Sequence, residues 1–260
     1  FDECHDVCVV EVAGKRVGVT ICEDIWNDEL YWSQRLYERD PVAESVAAGA
    51  DVIVNLSASP FTMGKQSTRR ALLSAAARRH GVPLVQVNLV GGNDDLIFDG
   101  SSLAFDAMGH MVAELKGFAE VNAVVDLDWS EPLSDLKRNP MSDLRAALVL
   151  GVKDYATKCG FKKVLIGLSG GIDSALVAAL AAEALGPANV HGVSMPSRYS
   201  SDHSKSDAAL LAQTLGIQYS TIPIEPIFTA AQRELEPHLA GCDTGLAFEN
   251  LQSRIRGLTL

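Results

Sequence analysis

The stretch Val164–Leu185, VLIGLSGGIDSALVAALAAEAL, decides the fold. It opens with four apolar residues, breaks at Ser-Gly-Gly and resumes as an Ala/Leu-rich run. The first part reads as a strand and the last as a helix. Adjacent glycines between them let the backbone turn tightly and bring its N–H groups close to a ligand. The helix that follows offers unpaired N–H groups and a positive dipole end, which together make an anion site, usually for phosphate. The loop is not a Walker A motif, which needs Lys-Ser or Lys-Thr, nor is it GxGxxG. Ser169 and Ser174 supply hydroxyls that can donate to phosphate. Asp173 would repel phosphate unless a cation lies between them, which points to Mg²⁺. A glycine turn with Asp173 as a helix cap is the bland alternative. A lone Gly-Gly would favour it; the full Ser-Gly-Gly-x-Asp-Ser between strand and helix does not.

Around this stretch the pattern is strand, glycine loop, helix, strand, helix, strand. KVLIGL, NVHGVSM and IQYSTIPI are the strands, and SDLRAALVLGVKDYATKCG before them reads as an N-capped helix. That alternation predicts a parallel, doubly wound sheet with its ligand at the carboxyl ends of the strands. Further upstream, DWSEPLSDLKRNPM carries two prolines and no clear period, so residues 127–141 read as a linker. Before the linker, DVCVVEVAGKRVGVTIC predicts two strands around Gly14. VAESVAAGA predicts a short helix and DVIVNLSAS a buried strand. STRRALLSAAARRHG predicts a helix with a glycine stop, and VPLVQVNLVGG a strand. SSLAFDAMGHMVAEL predicts two strands and AEVNAVVDLD one more. These elements predict a layered α/β domain with a mixed sheet.

The 260 residues, 47% hydrophobic and 21% charged, suit one large or two modest globular domains. A formal charge of -11 argues against a broad nucleic-acid footprint. Any anionic ligand must be held locally. The apolar runs fall short of the ~20 residues of a membrane span. The start, FDECHDVC, has neither the basic nor the apolar region of a signal peptide. Five cysteines without framework spacing favour a reducing, cytoplasmic setting. Cys4, His5 and Cys8 lack a second pair at metal-site spacing and read as ordinary thiols and an imidazole.

Ser-Gly-Gly-Ile-Asp-Ser resembles the pyrophosphate loop of the ATP pyrophosphatases, which split ATP between its α and β phosphates and adenylate a carbonyl or carboxyl oxygen. The resemblance implies that Gly167, Leu168, Ser169, Gly170, Gly171, Ile172, Asp173 and Ser174 bind ATP, with Asp173 on Mg²⁺. At the other end, GVTICEDIW places Cys22 at the end of an apolar strand beside Glu23 and Asp24. Two carboxylates disfavour a thiolate, and a buried small apolar residue is the better reading of an arbitrary cysteine. FDE, GVTICEDIW, NLSASPF and QVNLVGGNDDLIFDGSS, however, all resemble the nitrilase-superfamily amidase domain of glutamine-dependent NAD synthetases. That resemblance implies that Cys22 attacks the glutamine amide and that Ser59 and Lys65 bind glutamine. Without it, Ser59 reads as a turn hydroxyl and Lys65 as a solvated lysine. ENLQSRIRG near the end resembles the same enzymes' deamido-NAD-binding helix, with Asn250 as the contact. By spacing alone it is an amphipathic helix with a polar face.

The resemblance covers nearly the whole chain. It implies the later part of a nitrilase-like amidase domain over residues 1–126, then the early part of a doubly wound ATP pyrophosphatase domain over 142–260. The family's general-base Glu and oxyanion Lys match no position here, and with Phe1 in place of an initiator Met an internal fragment is expected. Its partners would be glutamine, ATP and deamido-NAD. An ammonia tunnel and a homo-oligomer are implied by resemblance alone. Two alternatives stand beside it: another glutamine-fed adenylating amidotransferase, and a nucleotide-binding module without turnover.

Overall fold

A computed structural model describes residues 6–27, 31, 38–128, 139–239 and 245–260. The chain divides into two compact units, Phe1–Gly151 and Val152–Leu260.

In the first unit, β1 (Cys8–Val12) and β2 (Lys15–Ile21) form a hairpin, and a 3₁₀ turn spans Cys22–Trp26. Then follow α1 (Pro41–Ala47), β3 (Val52–Ser57), α2 (Lys65–His80), β4 (Leu84–Asn88), β5 (Val90–Asn93), β6 (Leu96–Asp99), β7 (Leu103–Phe105) and β8 (Met111–Glu114). Six strands form one sheet in the order β1-β2-β3-β4-β7-β8. The central β2, β3 and β4 are parallel; the outer pairings are antiparallel. Proline at the first position and Asp40, whose Oδ1 accepts from Ala43 N at 3.0 Å, start α1.

Residues alternate between the two faces of the sheet. Ile53, Asn55 and Ser57 of β3 are buried while Leu56 is exposed; Leu84, Gln86 and Asn88 of β4 are buried while Val87 is exposed. The inward face joins Ile25, Val42, Leu73 and Phe105 in one core. Along each strand this face turns from aliphatic to amide and hydroxyl as it nears the carboxyl end. Polar groups there bond to one another: Asn55 Nδ2 donates to Thr20 Oγ1 at 3.1 Å, Ser57 Oγ to Asn55 Oδ1 at 2.5 Å, and Gln86 Nε2 to Ser57 Oγ at 3.2 Å. The opposite face exposes Val10, Ile21, Leu56 and Val87.

Two expectations change here. VPLVQVNLVGG is not one strand, because β5 leaves the sheet after Asn88 and pairs with β6 in a separate antiparallel ribbon. AEVNAVVDLD forms no strand: it has no ladder partner among the described residues, and Val124 is fully exposed.

Helix α3 (Pro140–Lys158) contains the division between the units. It starts two residues before Ser142, because Asn139 Oδ1 accepts from Met141 N at 3.0 Å and Pro140 takes the first helical position. Most of the expected linker, 129–138, lies outside the described residues. The second unit continues with β9 (Val164–Gly167), α4 (Ile172–Leu185), β10 (Val190–Ser194), α5 (Asp202–Leu215), β11 (Gln218–Thr221), α6 (Glu225–Leu235) and α7 (Gly245–Thr259). The strands run parallel in the order β11-β10-β9. Val190 and Val193 point to opposite faces of β10. Val190 packs with Ala178, Ala182 and Ala208 of α4 and α5, and Val193 with Phe228 and Ile255 of α6 and α7. Helices therefore cover both faces, as a doubly wound sheet requires. Among the described residues, no helix is long and apolar enough to cross a membrane.

Candidate active sites at two strand ends

Cys22 follows the last residue of β2 and opens the 3₁₀ turn with φ 46°. A non-glycine residue in this left-handed region costs roughly 1–3 kcal/mol, and such strain collects at functional positions. The surroundings hold it there: Ile21 N donates to Asp24 Oδ2 at 2.7 Å, which ties the strand end to the turn. Cys22 lines a cavity of about 650 Å³ with Ile21, Leu56, Val87, Leu89 and Ser101. The half-buried thiol thus sits where the exposed aliphatic face of the sheet meets the strand ends.

Neither Ser59 nor Lys65 lines that cavity, but Lys65 lies close to the turn that carries the thiol. Lys65 Nζ sits 5.4 Å from the centre of the Trp26 ring and donates to Pro60 O at 3.1 Å. Burial and the Arg69 guanidinium push the Lys65 ammonium below its ordinary pKa, while the neighbouring Cys22, Asp99 and Glu23 side chains pull it back. Ser59 is buried; its N–H donates to Asn88 Oδ1 at 2.9 Å, and its Oγ has no partner among the described residues. An unpaired buried hydroxyl costs about 1–3 kcal/mol, which a ligand's polar group would offset.

In the second unit, the loop after β9 is braced by its own serines. Ser174 Oγ donates to Gly171 O at 3.0 Å and stands 3.2 Å from Ser169 Oγ, which accepts from Gly171 N at 3.2 Å. Each hydroxyl has one proton. That of Ser174 is committed to the loop; that of Ser169 is shared with Ser174 or goes to a ligand. Gly170 has φ 82°, and a Cβ there would fall 2.4 Å from Ser204 O, so the loop packs directly on the first turn of α5. Gly192 of β10 likewise leaves room for the Leu168 side chain. A cavity of about 360 Å³ lies at the carboxyl ends of β9 and β10, lined among others by Gly167, Leu168, Ser169, Ser200, Lys205 and Arg256. Gly170 to Ser174 are not among its lining residues. Asp173 is exposed in the first turn of α4. Among the described residues, no three His, Cys, Asp or Glu side chains cluster as a ready-made metal site.

The carbon–nitrogen hydrolase family profile matches residues 2–131, half of the chain. The chain belongs to the carbon–nitrogen hydrolase family. Residues 144–260 match the NAD synthase family. The chain is 50% identical over 248 residues to a glutamine-dependent NAD(+) synthetase of Synechocystis, covering 93% of this chain and 44% of that protein. It is 39% identical over 295 residues to the Thermotoga maritima enzyme of the same name, covering 99% and 50%. The chain thus spans about half the length of the curated relatives it matches. The structure of a glutamine-dependent NAD+ synthetase from Acinetobacter baumannii, in complex with ADP, superposes with a TM-score of 0.86 at 32% identity, covering all of this chain and 48% of that one.

The structure brings Cys22 and Lys65 into one electrostatic neighbourhood and places Gly167 to Ser169 on the second cavity. It leaves Asn250 exposed on the outer face of α7. The inward face of that helix carries Gln252, whose Oε1 accepts from Ser197 Oγ at 2.8 Å, and Arg256, whose Nε donates to Met195 O at 3.2 Å. These two fix the segment after β10 that borders the cavity. The sequence shows them only as part of a polar helix face. Arg198, unassigned by sequence, pairs with Glu225 Oε1, and that pairing holds the Glu225 carboxyl below its usual range. The residue latches the loop to α6.

Proposed function

We propose that this chain is part of a glutamine-dependent NAD+ synthetase, with an amidase site at Cys22 and an adenylating site at Gly167–Ser174. The observation that carries the reading is the presence, in one chain, of a strained strand-end thiol and a Ser-Gly-Gly-Ile-Asp-Ser loop whose first serine lines a cavity of about 360 Å³. Ser59 and Lys65 hold glutamine, the serine through its unpaired hydroxyl and the lysine through its charge. Cys22 Sγ attacks the side-chain amide carbon, the C–N bond breaks and ammonia leaves. Water then displaces glutamate from the sulfur.

At the second site the loop holds the β and γ phosphates of ATP through backbone N–H groups and the Ser169 hydroxyl. A carboxylate oxygen of deamido-NAD attacks the α phosphorus and pyrophosphate leaves. Ammonia then attacks the activated carboxyl carbon, AMP departs, and the amide of NAD+ remains. Asp173 would hold Mg²⁺, whose other ligands would be phosphate oxygens and water; a single carboxylate beside hydroxyls suits that cation. Bound there, Mg²⁺ offsets the phosphate charge. Asn250 contacts deamido-NAD from the exposed face of α7, and Arg256 supplies positive charge at the cavity edge. The three described cysteines are free thiols, which supports the cytoplasmic setting included in this reading. A homo-oligomer is also included, and sedimentation of the intact protein tests it.

The deciding assay measures NAD+ formation from deamido-NAD and ATP in the intact protein, with glutamine or ammonium, before and after Cys22→Ala. Loss of glutamine-driven synthesis with ammonium-driven synthesis retained is expected. Intact glutamine use would remove Cys22 from the amidase site. No NAD+ from either nitrogen source would leave only the adenylating class.

A further inference from the structure

Asp99, the last residue of β6, is 1% exposed and collects four donors on one carboxylate. Arg69 Nη1 donates to Oδ1 at 3.0 Å and Arg69 Nη2 to Oδ2 at 2.7 Å. Gln66 Nε2 donates to Oδ2 at 2.6 Å, and Asn88 Nδ2 to Oδ1 at 3.3 Å. The Asn88 side chain is fully used, because Nδ2 also donates to Gly100 O at 3.0 Å and Oδ1 accepts from Ser59 N at 2.9 Å. Gln66 and Arg69 lie one and four residues beyond Lys65 on α2. Lys65 Nζ returns to Pro60, the residue after Ser59. One buried carboxylate therefore sets the separation between Ser59, held through Asn88, and Lys65, held through the first turns of α2.

We propose that Asn88, Asp99 and Arg69 are positioning residues that hold Ser59 and Lys65 in register for glutamine. This rests on the reading of Ser59 and Lys65 as the glutamine-holding pair. Fold stability alone is a poor account of the cluster. A buried ion pair is often neutral or unfavourable compared with apolar side chains of the same volume, and the aliphatic core of this unit is available for that purpose at the opposite strand ends. The relay instead stands at the carboxyl ends, where the thiol is. A second role follows from charge. Arg69 disfavours the Lys65 ammonium, and Asp99 offsets Arg69. The other groups facing Lys65 are Cys22, Glu23 and the Trp26 ring. Without the Asp99 charge, Lys65 loses its proton at a lower pH.

Steady-state glutamine hydrolysis by the intact protein tests this, with ammonium-driven NAD+ formation as the measure of a folded enzyme. In Asn88→Ala the KM for glutamine rises about tenfold, the size expected for one lost positioning hydrogen bond, while kcat and the ammonium reaction change little. In the paired variant Arg69→Met with Asp99→Leu the ammonium reaction persists, yet the glutamine KM rises in the same way. In Asp99→Asn the alkaline limb of kcat/KM for glutamine moves to lower pH. A wild-type glutamine KM in Asn88→Ala, or in the folded paired variant, overturns the positioning role alone. A wild-type protein whose glutamine hydrolysis survives Cys22→Ala overturns the underlying site and the proposal with it.

Discussion

Cys22 and Ser169 both lie just past a parallel strand, yet the chain around them is built differently. At Cys22 a side chain must stand still. The backbone takes a left-handed turn without glycine, and buried amides, hydroxyls and an Arg–Asp pair crowd the neighbouring strand ends. At Ser169 the backbone itself is the proposed binding group. Glycines replace side chains, the serines brace the turn, and the ion pairs nearby are exposed ones such as Lys205–Asp202. Covalent chemistry at one atom rewards a rigid polar shell. A polyanion is met by many N–H groups, for which bare backbone suffices.

Removing the thiol gives the sharpest break between the two. Cys22→Ala should lower glutamine-driven NAD+ formation by on the order of 10³-fold or more, and leave the ammonium-driven rate unchanged. Breaking the buried pair comes next. Arg69→Ala leaves Asp99 buried without its counter-charge and should cost about 3–5 kcal/mol in urea unfolding of the first unit. An equivalent cut at the exposed Lys205–Asp202 pair should cost less than about 1 kcal/mol. Gly170→Ala places a Cβ against Ser204 O in a left-handed backbone. It should raise the KM for ATP and cost about 1–3 kcal/mol, with glutamine hydrolysis untouched. Ser59→Ala should raise the glutamine KM by roughly tenfold, while stability holds or improves because an unpaired hydroxyl is removed.

The smallest effect marks the baseline away from both sites. Burial pushes the Asp106 carboxyl up, but hydrogen bonds from His110 and from Met108 N outweigh it and hold the group below the usual carboxylate range. A depressed carboxyl stabilises the folded chain above its unfolded pKa, and that contribution disappears as pH falls through the folded value. Asp106→Asn should therefore shift unfolding by about 0.5 kcal/mol or less at pH 7. The two proteins should converge in acid.

Much of this was legible. The glycine loop, the strand–helix alternation around it and the CED strand end follow from local chemistry, and the family motifs tie them together. What was hidden depends on distant partners. Arg69 and Asp99 stand 30 residues apart, and nothing local in the sequence joins them. Only the fold shows that they bury each other. The departure of β5 from the sheet is equally non-local, since VPLVQVNLVGG is continuous in pattern and splits according to which strand is alongside. The 119–128 segment fails for the same reason: it carries several apolar residues, but no strand pairs with it among the described residues. The start of α3 was missed because Asn139 caps before a proline that reads as part of the linker.

The aliphatic floor beside Cys22 bears on reagent choice. Ile21, Leu56, Val87 and Leu89 form a greasy landing next to a thiol flanked by Glu23 and Asp24. Iodoacetate, an anion, should alkylate this cysteine more slowly than iodoacetamide, and an alkyl-tailed maleimide faster than either short reagent. Such a tail gives a selective handle on Cys22 over the exposed Cys8 and Cys159, and with it a way to count that thiol by dye uptake.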